Sequence, residues 1–453
     1  MASIRKRGNS YQITVSKGYD IVGKKLLETT TFTPDPSWGK RQAERELRLF
    51  ADEFERDMLA SQDLRGRKMT LEELADLFLE DNKPGNPPSA DDPLSITTWS
   101  EYRRSLKTRI LPILGHIRIS EIIPKTLKDF SKELREDGSR QDGKAGGLSE
   151  SSIGKFNAIV STLLSYAVGE GLLQINPLIY AGRQAKGRRT KREYKVKTLE
   201  IPQVQALLWA FDNPISIGYG ERKRKDSSGK VYSIQKYRQT WQLSLKWRAY
   251  FYLSLFAGDR RGENISLTWN SVDFSARSVR IEASTAYVDG KVYQKDTKTH
   301  QSRVVIVPQA VIDVLSAWKK EQQRVCIELG TYWQGLRGTE YDKNYIFTQE
   351  NGLQMHPDSP YRQFKRVIRL YNDNIAANDE NAVRIPDNIT PHDLRHTAAS
   401  ILIKNNLDPR TVSGVLGHAD PSTTLNIYSY FFHQKSQEAA DIMQNELFKK
   451  RSV

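Results

Sequence analysis

Thr390-Pro391-His392-Asp393-Leu394-Arg395-His396-Thr397 opens the last strongly helical stretch of the chain. Residues three apart on a helix face the same way, so His392 and Arg395 are placed to address one phosphate together. An H-x-x-R pair arises readily by chance, so its meaning depends on what surrounds it. Downstream come Leu416-Gly417-His418 and then, ten residues after the histidine, Tyr428 in Thr-Thr-Leu-Asn-Ile-Tyr-Ser. Upstream, Lys298 lies in Lys-Thr-His-Gln-Ser-Arg, just beyond Asp289-Gly290, a dipeptide that signals a hairpin between apolar or β-branched runs. Farther upstream, Gly258-Asp259-Arg260-Arg261-Gly262-Glu263 ends the apolar helix YFYLSLFAG. An arginine at such a junction presents a planar fork of donors to a phosphate.

These motifs share one large unit, residues 198–430. Helices around Pro202–Phe211 and Lys246–Phe256 alternate with a strand-rich stretch from Val279 to Val307, and the pattern turns helical again from Pro391. Residues 213–240 interrupt the unit with a basic insert containing GYGERKRKDSSGKVYSIQKYR.

The rest of the chain divides by pattern. Residues 1–67 read as three short strands and a helix. Tyr11, Ile13 and Val15 alternate as in a half-buried strand, Gly18 and Gly23 mark turns, and two further strands are expected between Lys24 and Thr33. Ser37 is expected to cap a helix that carries Ala43, Leu47, Phe50, Phe54 and Met58 on one face. Residues 69–180 read as all helix. Thr70 and Glu73 form a capping box, Trp99, Tyr102, Leu106 and Ile110 line a second helix, Pro124 starts a third, and a fourth spans Ser151 to Val168. PGNPPSADDP, between the first two, reads as loop. Residues 181–197 form a basic linker. Within it Arg183, Lys186, Arg188, Arg189, Lys191 and Arg192 are candidates to lie along a phosphate backbone. After residue 430 the tail, 431–453, reads as an amphipathic helix with Ala440, Met443 and Leu447 on one stripe.

Composition narrows the partner. The 453 residues carry a net charge of +15, which points to a polyanion. The single cysteine, Cys326, allows neither a disulfide framework nor a cysteine metal site. No metal-ligand spacing, Gly-rich phosphate loop or GxSxG elbow stands out, so no cofactor and no metal are expected. The N-terminal MASIRKRGNS lacks an apolar signal core, and no run is apolar enough to span a membrane. A nucleic-acid partner in a reducing cytoplasm is therefore expected over a membrane one.

The ordered series GDRRGE, KTHQSR, TPHDLRHT, LGH and TTLNIYS resembles the tyrosine recombinase (phage integrase) family, of the conjugative-transposon and temperate-phage type. Residues 69–180 resemble its core-binding domain and residues 1–67 its arm-binding module. The resemblance implies a multidomain, mainly α fold with small β-sheets: an N-terminal three-stranded sheet plus helix, a helical core-binding domain and a mixed α+β catalytic domain. It implies Arg260, Lys298, His392, Arg395, His418 and Tyr428 as catalytic residues. Two features depart from the family pattern: Asp259 stands where a small or apolar residue is usual, and the 213–240 insert is long.

The implied activity is site-specific, metal-independent DNA cleavage and rejoining through a 3′-phosphotyrosine, to integrate or excise a mobile element. The implied partners are double-stranded DNA at core and arm attachment sites and three further copies of the chain in a tetramer, with room for DNA-bending or directionality proteins. Two other readings share these residues: a type IB-like topoisomerase, and a catalytically silent DNA-binding regulator.

Overall fold

The computed structural model describes residues 3–19, 25–60, 68–85, 92–179, 196–296, 302–417, 422, 424–425, 440–445 and 447–448. The chain divides into two compact units, Met1–Thr190 and Lys191–Val453. It is mainly helical with small antiparallel sheets. Among the described residues no helix is long and apolar enough to cross a membrane.

In the first unit, strands β1 (Ser3–Arg7), β2 (Ser10–Tyr19) and β3 (Lys25–Phe32) form an antiparallel sheet in that order. Only one strand, not two, follows residue 24; the third lies ahead of Tyr11. Every residue of β1 is exposed, so SIRKR carries no apolar alternation to betray it. Gly18 sits inside β2, where the pairing slips between Ser16 and Gly18; Gly23 lies outside the described residues. Helix α1 (Lys40–Ala60) packs Leu47 and Ala51 onto Ile13, with Phe50 and Phe54 beside them. Ser37 does not cap it. Its amide donates to Asp35 Oδ1 at 2.8 Å in a local turn, and the helical bonding starts at Gly39, whose carbonyl accepts from Ala43 N.

Further helices of this unit are α2 (Leu71–Asp81), α3 (Ile96–Ser105), α4 (Pro124–Glu133) and α5 (Glu150–Gly169). The capping box is formed. Thr70 N donates to Glu73 Oε2 at 2.8 Å and Glu73 N to Thr70 Oγ1 at 3.3 Å. Beyond α3 a π turn over Leu106–Ile110 leads into a last helical turn, Leu111–Leu114. Leu74, Phe78, Leu106, Ile110, Phe130, Val160 and Leu163 close the core these helices share. The PGNPPSADDP loop lies partly, and Arg183, Lys186, Arg188, Arg189, Lys191 and Arg192 of the linker wholly, outside the described residues.

The second unit is built round α7 (Leu245–Phe256), which follows α6 (Ile201–Asp212). Residues 249–255 of α7 are all buried, the signature of a helix apolar on every side and enclosed by its neighbours. Between α6 and α7 the insert forms a β-ribbon rather than an irregular loop. Strand β4 (Ile215–Tyr219) pairs with β7 (Tyr237–Trp241), and β5 (Arg222–Lys225) with β6 (Val231–Ile234). After α7 come a short helix, α8 (Arg261–Ser266), and two strands, β8 (Val272–Asp273) and β9 (Ser278–Ile281). The hairpin β10 (Ala283–Val288) and β11 (Lys291–Asp296) follows, then β12 (Arg303–Ile306), which completes a three-stranded sheet in the order β12-β9-β8. The hairpin turns at Asp289 and Gly290 with φ of 50° and 81°, the left-handed pair its sequence demands. Helices α9 (Gln309–Leu329), α10 (Ser359–Tyr371), α11 (Pro391–Lys404) and α12 (Pro409–Leu416) follow, and residues 440–445 of the tail are helical.

Candidate active site

Two helix ends and one helix start meet behind Gly258. The α7 helix terminates there because Gly258 takes φ of 59°, and an added Cβ would come within 2.7 Å of Leu416 Cδ2 on α12. The turn then delivers Asp259 and Arg260. On α11, Asp393 fixes the helix start, accepting from Thr390 N and Thr390 Oγ1 at 2.8 Å each. One turn on, Arg395 is buried, and its Nη1 donates to the Gly258 carbonyl at 2.5 Å. Arg395 and the turn bearing Arg260 are thus tied to each other directly.

Glu263 holds the second arginine. Its side chain is only 2 % exposed, and it accepts from three donors: Arg260 Nη1 at 2.7 Å, Arg260 N at 3.0 Å and Arg303 Nη2 at 2.6 Å. Burial alone would raise this carboxyl. The Arg303 hydrogen bond and charge, with the amide and charge of Arg260, reverse that and leave it at about 2. Arg303, the last residue of KTHQSR, is therefore the second cation of a buried cluster. Arg260 keeps one-third of its side chain exposed, and its Nη2 reaches the Gly417 carbonyl at 3.3 Å. Gly417 ends α12 with φ of 67°, and Arg303 packs so closely that a Cβ there would lie 2.5 Å from its Nη1.

His392 is exposed on α11, with its ring 4.9 Å from that of His396 in an edge-to-face pair. Partial desolvation by its neighbours, and then the charge of Arg395, hold His392 below the ordinary histidine value; Asp393 opposes the shift, and Arg260 and Arg261 add to it. His396 falls to about 4, from burial first and the neighbouring His392 second. The downward shift favours the neutral ring in both, the form that can take up a proton. Arg261 points elsewhere, to Asp358 at 3.1 Å.

Asp259 has the most unusual environment of the cluster. It is buried, and among the described residues neither carboxylate oxygen finds a hydrogen-bond partner. Burial pushes it up to about 8, helped by the negative Glu263 and only partly opposed by Arg303 and Arg395. Nothing local in GDRRGE distinguishes this buried aspartate from an exposed one.

The structure therefore brings together Arg260, His392 and Arg395 of the six sequence candidates. Lys298, His418 and Tyr428 lie outside the described residues, as do Arg183, Lys186, Arg188, Arg189, Lys191 and Arg192. The ends that flank them are placed: β11 and β12 bracket Lys298, and Gly417, next to His418, sits on Arg260. Among the described residues no group of His, Cys, Asp or Glu is arranged to hold a metal ion.

A helical unit joined to a mixed α/β unit that carries an arginine pair and a histidine around one turn is the architecture of a DNA strand-transferring enzyme. The phage integrase family model matches residues 229–435, and the model of the phage integrase N-terminal SAM-like domain matches residues 70–135. The ICEBs1 integrase of Bacillus subtilis (strain 168) is 23% identical over 449 residues, covering 98% of this chain and all of that protein. Tyrosine recombinase XerD of Rhizobium meliloti is 25% identical over 339 residues, 71% of this chain and 88% of that one. The Tn1549 transposon integrase, solved in complex with transposon right end DNA, superposes with a TM-score of 0.58 at 18% identity, over 82% of this chain and all of that one. That likeness establishes the fold. The chain belongs to the phage integrase family of tyrosine recombinases.

Proposed function

We propose that this chain recombines DNA at specific sites, with Tyr428 as nucleophile and Arg260, Arg395, His392, His418 and Lys298 around the scissile phosphate. The observation that carries the reading is the tie of Arg395 to Gly258, two residues before Arg260, with the Gly417 carbonyl on Arg260 itself. Three motifs far apart in sequence thus converge on one locus rich in guanidinium donors.

The chemistry follows from the residue types. A tyrosine hydroxyl has an unperturbed pKa of about 10 and needs help to attack. Its Oη bonds to phosphorus while the bond from phosphorus to the 5′-oxygen breaks. Neutral His392 takes the tyrosine proton, and Lys298 gives one to the departing 5′-oxygen. Arg260, Arg395 and His418 stabilise charge on the non-bridging oxygens. A 3′-phosphotyrosine and a free 5′-hydroxyl result, and attack by a 5′-hydroxyl of the partner duplex reverses the step without an external energy source.

The reading extends to partners. Residues 1–67 take arm sites, residues 69–180 and 198–430 take the core duplex, and the 181–197 linker follows the backbone between them. The tail supports assembly into a tetramer on DNA. Ile442, Met443, Leu447 and Phe448 are all more than half exposed, so this apolar surface has no cover within the described residues. A neighbouring protomer supplies that cover, and a cyclic chain of such contacts closes a ring. Truncation after Ser436 then abolishes tetramer formation on DNA while half-site binding survives.

The deciding experiment uses a nicked core-site duplex. The unaltered chain forms a covalent adduct on a denaturing gel, and Tyr428→Phe binds equally well but forms none. An adduct from the Phe variant refutes the nucleophile. No adduct from either chain points to the silent-regulator reading, and relaxation without need of paired sites to the topoisomerase one.

A further inference from the structure

The ribbon between α6 and α7 has a base built into the catalytic unit and an end that is not. Ile215 is fully buried in the main core, and Ile217 and Trp241 pack against it. Tyr219 and Tyr237, directly paired across β4 and β7, stack at 4.8 Å and close this apolar face. Beyond them all four residues of β5 (Arg222, Lys223, Arg224 and Lys225) are exposed on both faces of the ribbon. Residues 221–238 hold seven lysines and arginines against Glu221 and Asp226, one-third of the net charge of the whole chain. Among the described residues none of these cations is held in an ion pair; Arg222 instead lies over the Tyr219 ring and donates to Tyr237 Oη.

A two-stranded ribbon with no buried face is marginal by itself in water. Concentrating like charge on it costs further stability through repulsion. Such an element persists where an anion offsets both. The surroundings of the base point the same way. Arg366 of α10 stacks on Trp241 at 5.3 Å, and Arg362, Arg366 and Arg369, spaced i, i+4 and i+7, form an exposed basic stripe along that helix. The α10 helix is 13 residues, about 20 Å, long, and its first turn adjoins Asp358, the partner of Arg261. A basic track therefore runs from beside the candidate active site, along α10, to the ribbon base. The twelve residues from Ile215 to the Asp226 tip extend it by up to about 40 Å, the length of roughly one turn of duplex.

We propose that the 215–241 ribbon is a second DNA-binding site: it lies along the sugar-phosphate backbone of duplex flanking the exchanged core and contacts phosphates without reading sequence. The proposal rests on the recombinase reading for its occupant and adds a surface that reading does not use. Lysines and arginines on a thin ribbon, with a stacked tyrosine pair as a rigid base, suit a smooth line of phosphates.

The test substitutes Arg222→Ala, Lys223→Ala, Arg224→Ala and Lys225→Ala together in the full chain. All four side chains are exposed, so the fold is not at stake. Binding is measured against salt on a core-site duplex with long flanks and on one trimmed to the core. On the long duplex the log–log salt slope falls by about 0.9 for each phosphate no longer neutralised, up to about 3.6 in all. Hydroxyl-radical protection of the flank disappears. On the trimmed duplex the variant and the unaltered chain coincide. Adduct formation on the nicked core is read in parallel. No adduct from the unaltered chain sinks the recombinase reading whatever the ribbon does. Normal adduct with an unchanged slope and footprint on the long duplex overturns the ribbon assignment alone. A change in self-association without DNA, with the slope unmoved, overturns it in favour of a protein contact.

Discussion

Replacing Glu263 by glutamine removes one charge from the centre of the arginine cluster while keeping its shape. The carboxylate sits at about 2 against an ordinary 4.5, and about 1.36 kcal/mol attaches to each pH unit of that gap, which gives about 3.4 kcal/mol. Its side chain is 2 % exposed, so solvent screening takes little from this figure. An independent route agrees in order: breaking a buried ion pair by removing one partner costs about 3–5 kcal/mol, because the other charge is left behind. Here that charge is Arg303, only 12 % exposed. The pKa is depressed, so the stabilisation is present above the unfolded-state value of 4.5 and lost as pH falls toward 2. Urea unfolding followed by tryptophan fluorescence suits the test, since six of the eight tryptophans lie in the Lys191–Val453 unit. With a slope of about 3 kcal/mol/M, the Glu263→Gln midpoint at pH 7 falls by about 1 M. The gap narrows as both proteins are taken from pH 5 toward pH 3. Equal midpoints at pH 7, or a gap that does not change with acid, would refute the cluster as an electrostatic clamp.

Asp259→Asn acts in the opposite sense. A carboxyl raised to about 8 stabilises the fold most below 3.8 and loses that contribution as pH rises through 8; the asparagine variant therefore lacks this fall and is more stable at pH 7 by up to about 4 kcal/mol, as a Tm series from pH 5 to 9 shows. Gly262→Ala places a Cβ 2.5 Å from Ser284 Oγ and 2.6 Å from the Thr285 carbonyl, which pushes α8 off β10. It lowers stability by about 1–3 kcal/mol in urea unfolding and slows adduct formation with it, because Glu263 moves too. Thr70→Ala removes half of a capping box and costs about 1 kcal/mol, read in calorimetry as a lower Tm for the Met1–Thr190 unit with the other transition unmoved.

What the sequence reveals and what it conceals follow from the range of the interactions. The Thr70–Glu73 box, the Pro124 helix start and the Asp289–Gly290 turn are settled within a few residues, and each forms as its sequence demands. The apolar helix ahead of Gly258 is equally plain, since its run of buried side chains has only one way to be satisfied. Ser37 misleads because Asp35 competes for the same turn. The β1 strand is hidden because all its side chains face water. The insert's ribbon is obscured by its charge, which masks the pairing of Ile215 with Trp241 at its base. At the candidate site, spacing alone brings His392 and Arg395 to one helix face. The role of Arg303 and the state of Asp259 depend on which neighbours burial provides, and those come from residues up to 136 positions away.

The unpartnered Asp259 sets the charge balance of the candidate active site. Three guanidiniums, of Arg260, Arg303 and Arg395, face one ionised carboxylate, Glu263, while burial raises Asp259 to about 8 and favours its protonated form. The cluster therefore carries two uncompensated positive charges. A phosphodiester brings one negative charge, and the five-coordinate phosphorane on the way to its cleavage brings two. The positive excess is thus offset further at the phosphorane than at the bound diester, so on the proposed reading the electrostatic gain grows as the bond is made and broken. Ionisation of Asp259 would remove one unit of that positive excess. Buried without a hydrogen bond, it tunes the cluster to the reaction's most charged moment.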